Sequence, residues 1–140
     1  MNYLQIYVTP HFKFSEFSCK DGTPVPNHLL FNVRMLAGCL EVLRGHFQLP
    51  IIINSAYRTE SYNRKVGGVS ASQHLSANAV DISIQGVPPL VIWQTIRSFM
   101  KKNLLPKGAV ILYDNFVHYD LRGHVVEIDS RTCKTSGQLS

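Results

Sequence analysis

The chain has 140 residues, of which 45% are hydrophobic and 16% are charged. A chain of this length can bury ~two-thirds of its unfolded surface, so a core without disulfide or metal staples is feasible. This composition excludes a disordered chain. We expect a single folded domain over residues 1–130 and a polar, disordered tail over residues 131–140.

The formal net charge is +5 and the pI is about 9.3, but the basic residues are scattered. Their densest stretch is Lys101-Lys102 with Lys107 nearby, which a solvated helix end explains, so we expect no nucleic-acid partner. The three cysteines form no CxxC pair, which is typical of reduced thiols. No window reaches the ~18 apolar residues of a membrane helix, so we expect no membrane insertion.

Two helices and a first pair of strands are predicted in chain order. An apolar stripe at alternating steps of four and three predicts a helix over residues 27–47. The β-branched run at residues 50–53 predicts a buried strand. Residues 59–65 suit a short helical turn that Gly67-Gly68 would end. Residues 78–84 alternate as a strand, and Pro88-Pro89 then opens the second main helix.

The last third of the sequence predicts a β-meander. AVILY (109–113), FVHYDL (116–121) and HVVEID (124–129) read as strands. Asp114-Asn115 suits a two-residue hairpin loop, and Arg122-Gly123 suits a second turn. The fold class is therefore α+β, with two main helices packed on a small, mainly antiparallel sheet.

Three polar residues on these elements are candidate metal ligands. His74 lies in the loop before a strand, Asp81 lies in that strand, and His118 lies in a later strand. Two neutral imidazoles and one carboxylate are typical of catalytic zinc and leave a fourth position open for water. Other metals also use this set, and a strand histidine is often purely structural.

The residues around these positions resemble one peptidase family. "NSAYRTESYNRKVGGVSASQHLSANAVDI" followed by "FVHYDLRG" contains Ser72-x-His74, Ala79-x-Asp81 and a late strand histidine, His118. This order is similar to that of the zinc D-Ala-D-Ala carboxypeptidases and related endolysin peptidases. The opening "FKFSEFSC" (12–19) resembles the family's short, single-domain branch, so the resemblance covers residues 12 to 123.

The resemblance implies the fold shared by hedgehog signalling domains and D-Ala-D-Ala peptidases. It implies one Zn²⁺ per chain, bound by His74, Asp81 and His118, and a peptidoglycan stem peptide as substrate. It also implies that Arg58 holds a substrate carboxylate or the developing oxyanion, as a guanidinium can. The alternative for Arg58 is a surface ion pair with Glu60.

Further roles remain open between two interpretations each. The resemblance suggests that Ser72 binds substrate or the site loop, although a turn-forming serine is the alternative. Tyr113 contacts substrate or merely ends a strand. Asp120, on the same strand face as His118, orients a ligand imidazole or serves as a base, with a simple surface aspartate as the third interpretation.

One position departs from the family pattern. The family commonly carries an acidic residue, the general base, three positions before the last histidine ligand, and here that position is Asn115. Either Asp120 or its neighbour in the turn, Asp114, then substitutes, or the zinc-bound water reacts with weak help. Loss of a general base typically costs ~10²–10⁴-fold in rate.

We therefore expect a monomeric zinc peptidase that cuts a stem-peptide bond next to a D-amino acid, as a carboxypeptidase or an endopeptidase. The alternative is a zinc-containing module that binds cell wall with little or no activity. The N-terminus shows no basic region followed by a long apolar run, so we expect cytoplasmic synthesis without a signal peptide. A phage or mobile-element protein acting on the wall at lysis fits this expectation, as does a bacterial enzyme acting on recycled wall fragments.

Overall fold

The structure of the protein is a computed structural model that describes residues 6–132. Residues 1–5 and most of the predicted tail, residues 133–140, lie outside the described residues. The division into one domain over 1–130 and a tail stays a prediction.

Seven strands and three α-helices make up the described chain. The strands are β1 (Tyr7–Thr9), β2 (Phe12–Lys13), β3 (Ile52–Ser55), β4 (Ala79–Ser83), β5 (Ala109–Leu112), β6 (Val117–Asp120) and β7 (Val126–Asp129). The helices are α1 (Leu30–Phe47), α2 (Glu60–Lys65) and α3 (Pro89–Lys101). The α+β class with an antiparallel-rich sheet is thus confirmed, and α1 and α3 are its two longer helices.

The five-stranded sheet has the order β3-β4-β6-β5-β7. The pairs β3–β4, β4–β6 and β5–β6 are antiparallel, whereas β7 pairs with β5 in parallel. The predicted meander is therefore wrong at its last step. Since β4 and β5 already occupy both edges of β6, the chain after Arg122-Gly123 cannot pair with β6 and instead joins the outer edge of β5.

The two faces of the sheet differ in chemistry. Val80, Ile82, Val117 and Tyr119 belong to the face that joins the apolar core, together with the buried residues of α1 and α3. The alternate residues of the same strands face the other way. On that second face, the register places His118 between Asp81 and Ile111. The sheet thus separates a hydrophobic core from a polar site.

The other local predictions differ from the structure mainly at their boundaries. The predicted helix over 27–47 is a 3₁₀ turn, Asn27–Leu29, followed by α1. The strand predicted at 50–53 begins at Ile52 and extends through Ser55. Asp114-Asn115 does lie at the tip of the β5–β6 hairpin, where the Tyr113 N–H donates to the Phe116 carbonyl at 3.0 Å.

None of the helices within residues 6–132 has both the length and the apolar character needed to cross a membrane.

Candidate metal centre

A short 3₁₀ turn, Gln73–Ser76, presents His74 to the polar face of the sheet. Ser72 caps this turn by accepting a hydrogen bond from the His74 N–H at 3.2 Å. Ala77 ends it in the left-handed conformation, with φ of 55°, and the chain then enters β4. Asp81 lies in the middle of β4 and pairs directly with His118 on β6. Turn and strand pairing together fix the three side chains.

The hydrogen bonds of the two histidines define which ring nitrogen of each is free. His74 Nδ1 lies 2.6 Å from the Ala56 carbonyl oxygen, which can only accept, so Nδ1 carries the proton. His118 Nε2 lies 2.8 Å from a carboxylate oxygen of Asp120 and carries the proton in the same way. In the neutral imidazoles, His74 Nε2 and His118 Nδ1 therefore keep their lone pairs.

These two free nitrogens converge on one oxygen of Asp81. Asp81 Oδ1 lies 3.2 Å from His74 Nε2 and 3.0 Å from His118 Nδ1. The ligand atoms of the three residues all lie within 4.8 Å of one another, and all three residues are buried. Three buried acceptors this close repel one another unless a cation or a proton lies between them. The donor set of two imidazole nitrogens and one carboxylate fits Zn²⁺.

Protonation in the absence of metal follows from the same contacts. Burial opposes the charge of Asp81, but hydrogen bonds with His118 and His74 outweigh it and lower the pKa of Asp81 to about 2. Burial also opposes an imidazolium at His118, but the bonds to Asp120 and Asp81 prevail and raise the pKa of His118. The metal-free site thus tends to hold a proton where a metal would bind, so metal and proton compete.

Asp120 and Arg122 lie immediately behind His118. The Asp120 side chain is completely buried, and its Oδ2 accepts from both His118 Nε2 and Arg122 Nη2, the latter at 2.7 Å. Its Oδ1 accepts from the Ala109 N–H at 3.0 Å and from Arg122. Burial raises the pKa of Asp120, but the bonds from His118 and Arg122 outweigh it and depress that pKa well below its usual range. Asp120 is therefore an ionised carboxylate with both oxygens engaged.

Arg58 contacts the candidate centre from the side of β3. Its Nη2 lies 3.3 Å from Asp81 Oδ2, its Nε donates to Ser55, and its Nη1 donates to Asn63. The ion pair of Arg58 is with Asp81, and among the described residues it makes no pair with Glu60. The Arg58 guanidinium is thus held beside a candidate metal ligand, and its side chain is 14% exposed.

Asn63 fixes the position of Arg58 relative to the loop that follows α2. The Asn63 side chain is buried, accepts from Arg58 Nη1 and donates to the Val69 carbonyl at 2.8 Å. Gly68 packs directly on it, since a Cβ at Gly68 would lie 2.0 Å from Asn63 Oδ1 and 2.9 Å from Arg58 Nη1. Only glycine leaves room for this arrangement.

A cleft of about 610 Å³ opens over the candidate ligands. The glycine-containing loop after α2, the β5–β6 hairpin and the two guanidinium groups of Arg58 and Arg122 line it. Within the described residues, Asp81 is the one carboxylate in this lining. The cleft is therefore basic apart from the candidate metal ligand.

The remaining predicted site residues divide between the cleft and its rim. Ser72 and Tyr113 line the cleft, and Tyr113 stacks on Phe116 with ring centroids 4.6 Å apart. Burial and the nearby charge of Asp81 raise the pKa of Tyr113. Asp114 is exposed and accepts instead from the Thr132 N–H at 3.0 Å and the Thr132 hydroxyl at 2.6 Å. Asn115 is exposed beside it and does not line the cleft.

Asn63 and Arg122 are functional candidates that were not predicted from the sequence. Contacts between secondary-structure elements bring both residues to the site. Neither residue is part of a sequence motif for metal ligands. The Asp-x-Arg spacing at residues 120–122 was the available signal for Arg122, because an arginine two positions after an aspartate can reach back to its carboxylate.

The fold and the site define a class of protein: an α+β domain with a buried cluster of two histidines and one aspartate, able to hold a metal ion, at the floor of a basic cleft. The model of the family Peptidase M15 matches residues 10–120, and the chain belongs to this family of zinc D-Ala-D-Ala carboxypeptidases. The family resemblance found in the sequence is thereby confirmed. Comparison with curated proteins and comparison with solved structures gave no match.

Proposed function

We propose that the protein is a zinc-dependent peptidase that hydrolyses a peptidoglycan stem-peptide bond next to a D-amino acid. At the family level the chain is a metallopeptidase. The observation that carries the proposal is the convergence of three buried acceptor atoms, from His74, Asp81 and His118, at the floor of a cleft large enough for a peptide.

These three residues would hold the metal, one atom each. When bound, Zn²⁺ supplies Lewis acidity toward the scissile carbonyl and lowers the pKa of a water molecule. The chain itself supplies the orientation of the ligands. The Ala56 carbonyl and the Asp120 carboxylate hold the two imidazoles with their free nitrogens directed at Asp81, as the outer hydrogen bonds of metal-binding histidines do.

Arg58 is proposed to stabilise negative charge that develops on the substrate. Its Nη1 and Nη2 each have a second N–H beyond the bonds to Asn63 and Asp81, and the residue lines the cleft. A pre-positioned donor is effective because it needs no reorganisation during the reaction. Ser72 and Tyr113, also in the lining, are proposed to contact the bound peptide.

The positions of the nearby carboxylates limit which group can accept a proton from the reacting water. Asp120 has both oxygens occupied and is fully buried, so we propose that it positions His118 and does not act on the reacting water. Asp114 is exposed, does not line the cleft and already accepts two hydrogen bonds from Thr132. With Asn115 in the position of the family's acid, hydrolysis proceeds with weak base assistance and is slow.

The second candidate function is a zinc-containing module that binds cell wall. It is favoured by one observation: within residues 6–132, the cleft lining holds no carboxylate besides the candidate ligand Asp81. The same cleft can then bind a stem peptide without cutting it.

Digestion of purified peptidoglycan, with and without a chelator, tests the first proposal against the second. We expect chelator-sensitive release of fragments whose masses identify the cut bond and distinguish carboxypeptidase from endopeptidase action. Binding to peptidoglycan without any released fragment would favour the binding module.

Variants test the residue assignments in the same preparation. His74→Ala and Asp81→Ala should lose the zinc that elemental analysis finds in the wild type, whereas His11→Ala, which removes an exposed histidine paired with Glu41, should keep it. Arg58→Ala should keep zinc while activity falls by ~10²–10³-fold. Full zinc in both ligand variants would disprove the assignment.

A further inference from the structure

We infer that Arg122 is a specificity residue that binds a carboxylate of the substrate in the cleft. The inference rests on the proposed function and names what the cleft selects within it: stem peptides that carry a free carboxylate near the scissile bond. Arg122 lines the cleft, and its side chain is 30% exposed, twice as much as that of Arg58.

The hydrogen bonds of Arg122 occupy only one edge of its guanidinium. Nε and Nη2 form a bidentate pair with Asp120, at 3.0 Å and 2.7 Å for the shorter contacts. Nη1 donates to no acceptor within residues 6–132. A guanidinium can hold one carboxylate on its Nε–Nη2 edge and a second on its Nη1–Nη2 edge. The second edge of Arg122 is available to a ligand.

Arg58 does not offer an equivalent edge. Its Nε, Nη1 and Nη2 each donate to a different protein group, Ser55, Asn63 and Asp81 respectively. Both nitrogens of its Nη1–Nη2 edge are thus already engaged by protein groups, whereas Nη1 of Arg122 has no acceptor within residues 6–132. The two arginines are therefore suited to different tasks, Arg58 to an oxyanion beside the metal centre and Arg122 to a whole carboxylate.

The position of Arg122 is already fixed before a ligand arrives. Asp120, which anchors it, is completely buried and also accepts from the Ala109 N–H. A side chain that is held in place loses little further entropy when it binds. The charges agree with an acidic ligand, because Arg58 and Arg122 balance Asp81 and Asp120, so a bound divalent cation leaves the site with an excess positive charge.

A stem peptide offers two carboxylates of this chemistry: its C-terminal carboxylate and the α-carboxylate of a γ-linked D-glutamate. Three versions of the pentapeptide L-Ala–γ-D-Glu–L-Lys–D-Ala–D-Ala separate them: the free acid, the C-terminal amide, and the form with D-isoglutamine. The measurements are kcat/KM of the zinc-loaded protein and the Kd of the metal-free protein by NMR titration, which needs no turnover.

We expect the wild type to prefer the free acid over one of the two amides by about 10- to 100-fold, as for charged hydrogen bonds. Arg122→Gln should remove most of this preference. The informative quantity is the ratio of kcat/KM, or of Kd, between the free acid and the amide. A loss of activity that Arg122 causes indirectly through Asp120 affects both peptides and cancels in this ratio. Arg122→Lys keeps a charge for Asp120 but lacks the planar guanidinium that can hold two carboxylates bidentately, so it should lose most of the preference too. This variant replaces Arg122→Gln if the latter does not fold.

Arg97→Gln is the matched control. It removes the same charge from an arginine that also pairs with a carboxylate, Glu127 at 2.6 Å, outside this cleft, so the ratio should not change. A wild type that cleaves all three peptides equally would overturn the inference and leave the proposed function standing. An acid-to-amide ratio that stays at the wild-type value in both Arg122 variants would also overturn the inference and leave the proposed function standing. A wild type that neither binds nor cleaves any of them would overturn both.

Discussion

Replacing Asp120 with asparagine is the most direct test of how the candidate metal centre is oriented. The substitution preserves shape, but the amide has one acceptor where the carboxylate has two. Oδ1 accepts from the Ala109 N–H and from Arg122, and Oδ2 accepts from His118 Nε2 and Arg122 Nη2. Whichever way the amide is turned, its NH₂ group therefore faces donors.

The magnitude follows from these contacts. Opposing a buried donor with another donor, and losing charged hydrogen bonds, should destabilise the metal-free protein by about 2–3 kcal/mol. For a chain of this size that lowers the melting temperature by about 5–10 °C. Because His118 loses the partner that fixes its tautomer, zinc affinity should fall ~10- to 100-fold.

Chelator competition measures the zinc Kd, and thermal unfolding with and without zinc separates the effect on affinity from that on stability. Asp129→Asn is the control, since Asp129 bonds Arg131 with the same Asp-x-Arg spacing at another place on the sheet. Wild-type zinc affinity in Asp120→Asn would refute the tautomer assignment of His118. The Nε2–H resonance of His118, seen by ¹⁵N NMR in the wild type and absent in the variant, would support it.

Two further substitutions test other parts of the structure. Gly108→Ala should destabilise the protein by about 3 kcal/mol or more, because a Cβ there would lie 1.6 Å from the Asp120 carbonyl oxygen and must push β5 from β6. Gly38→Ala, on α1 with no atom near its added Cβ, should be neutral or stabilising in the same denaturation assay. Asn115→Asp should raise the hydrolysis rate by up to ~10²-fold if the turn approaches the cleft as the family's acid does. If Asn115→Asp, Asn115→Ala and the wild type all hydrolyse the substrate at the same rate, the asparagine at this position is harmless.

Local pattern was sufficient for the three α-helices, for strands β3 to β7 and for the three candidate ligands, but it did not predict β1 and β2. The apolar stripe of α1 follows from a period that the helix imposes on any residue that must face a core. The alternation in β4 and β6 separates Asp81 and His118 from Val80 and Tyr119 in the same way. The order of short motifs around His74, Asp81 and His118 indicated the family, because those motifs are contiguous in the chain.

Long-range contacts decided what local pattern did not contain. The position of β7 beside β5 depended on which strand edges were still free after β4 and β6 had paired, and this information is distributed over four strands. The hydrogen bonds of Asp120 with Ala109, His118 and Arg122 also depend on packing between elements, and our proposal that Asp120 positions His118 rests on them.

By itself, therefore, the sequence determined the fold class, the positions of the α-helices and of strands β3 to β7, the family and the candidate metal ligands. Only the tertiary structure decided which imidazole nitrogens face Asp81, that Asn63 holds Arg58, and that Nη1 of Arg122 meets no acceptor in the described part of the chain. The physical reason is that hydrogen-bond geometry is set by atoms far apart in the chain. The type of a residue limits how many hydrogen bonds it can form. The neighbours packed around it determine which of these hydrogen bonds are formed within the protein.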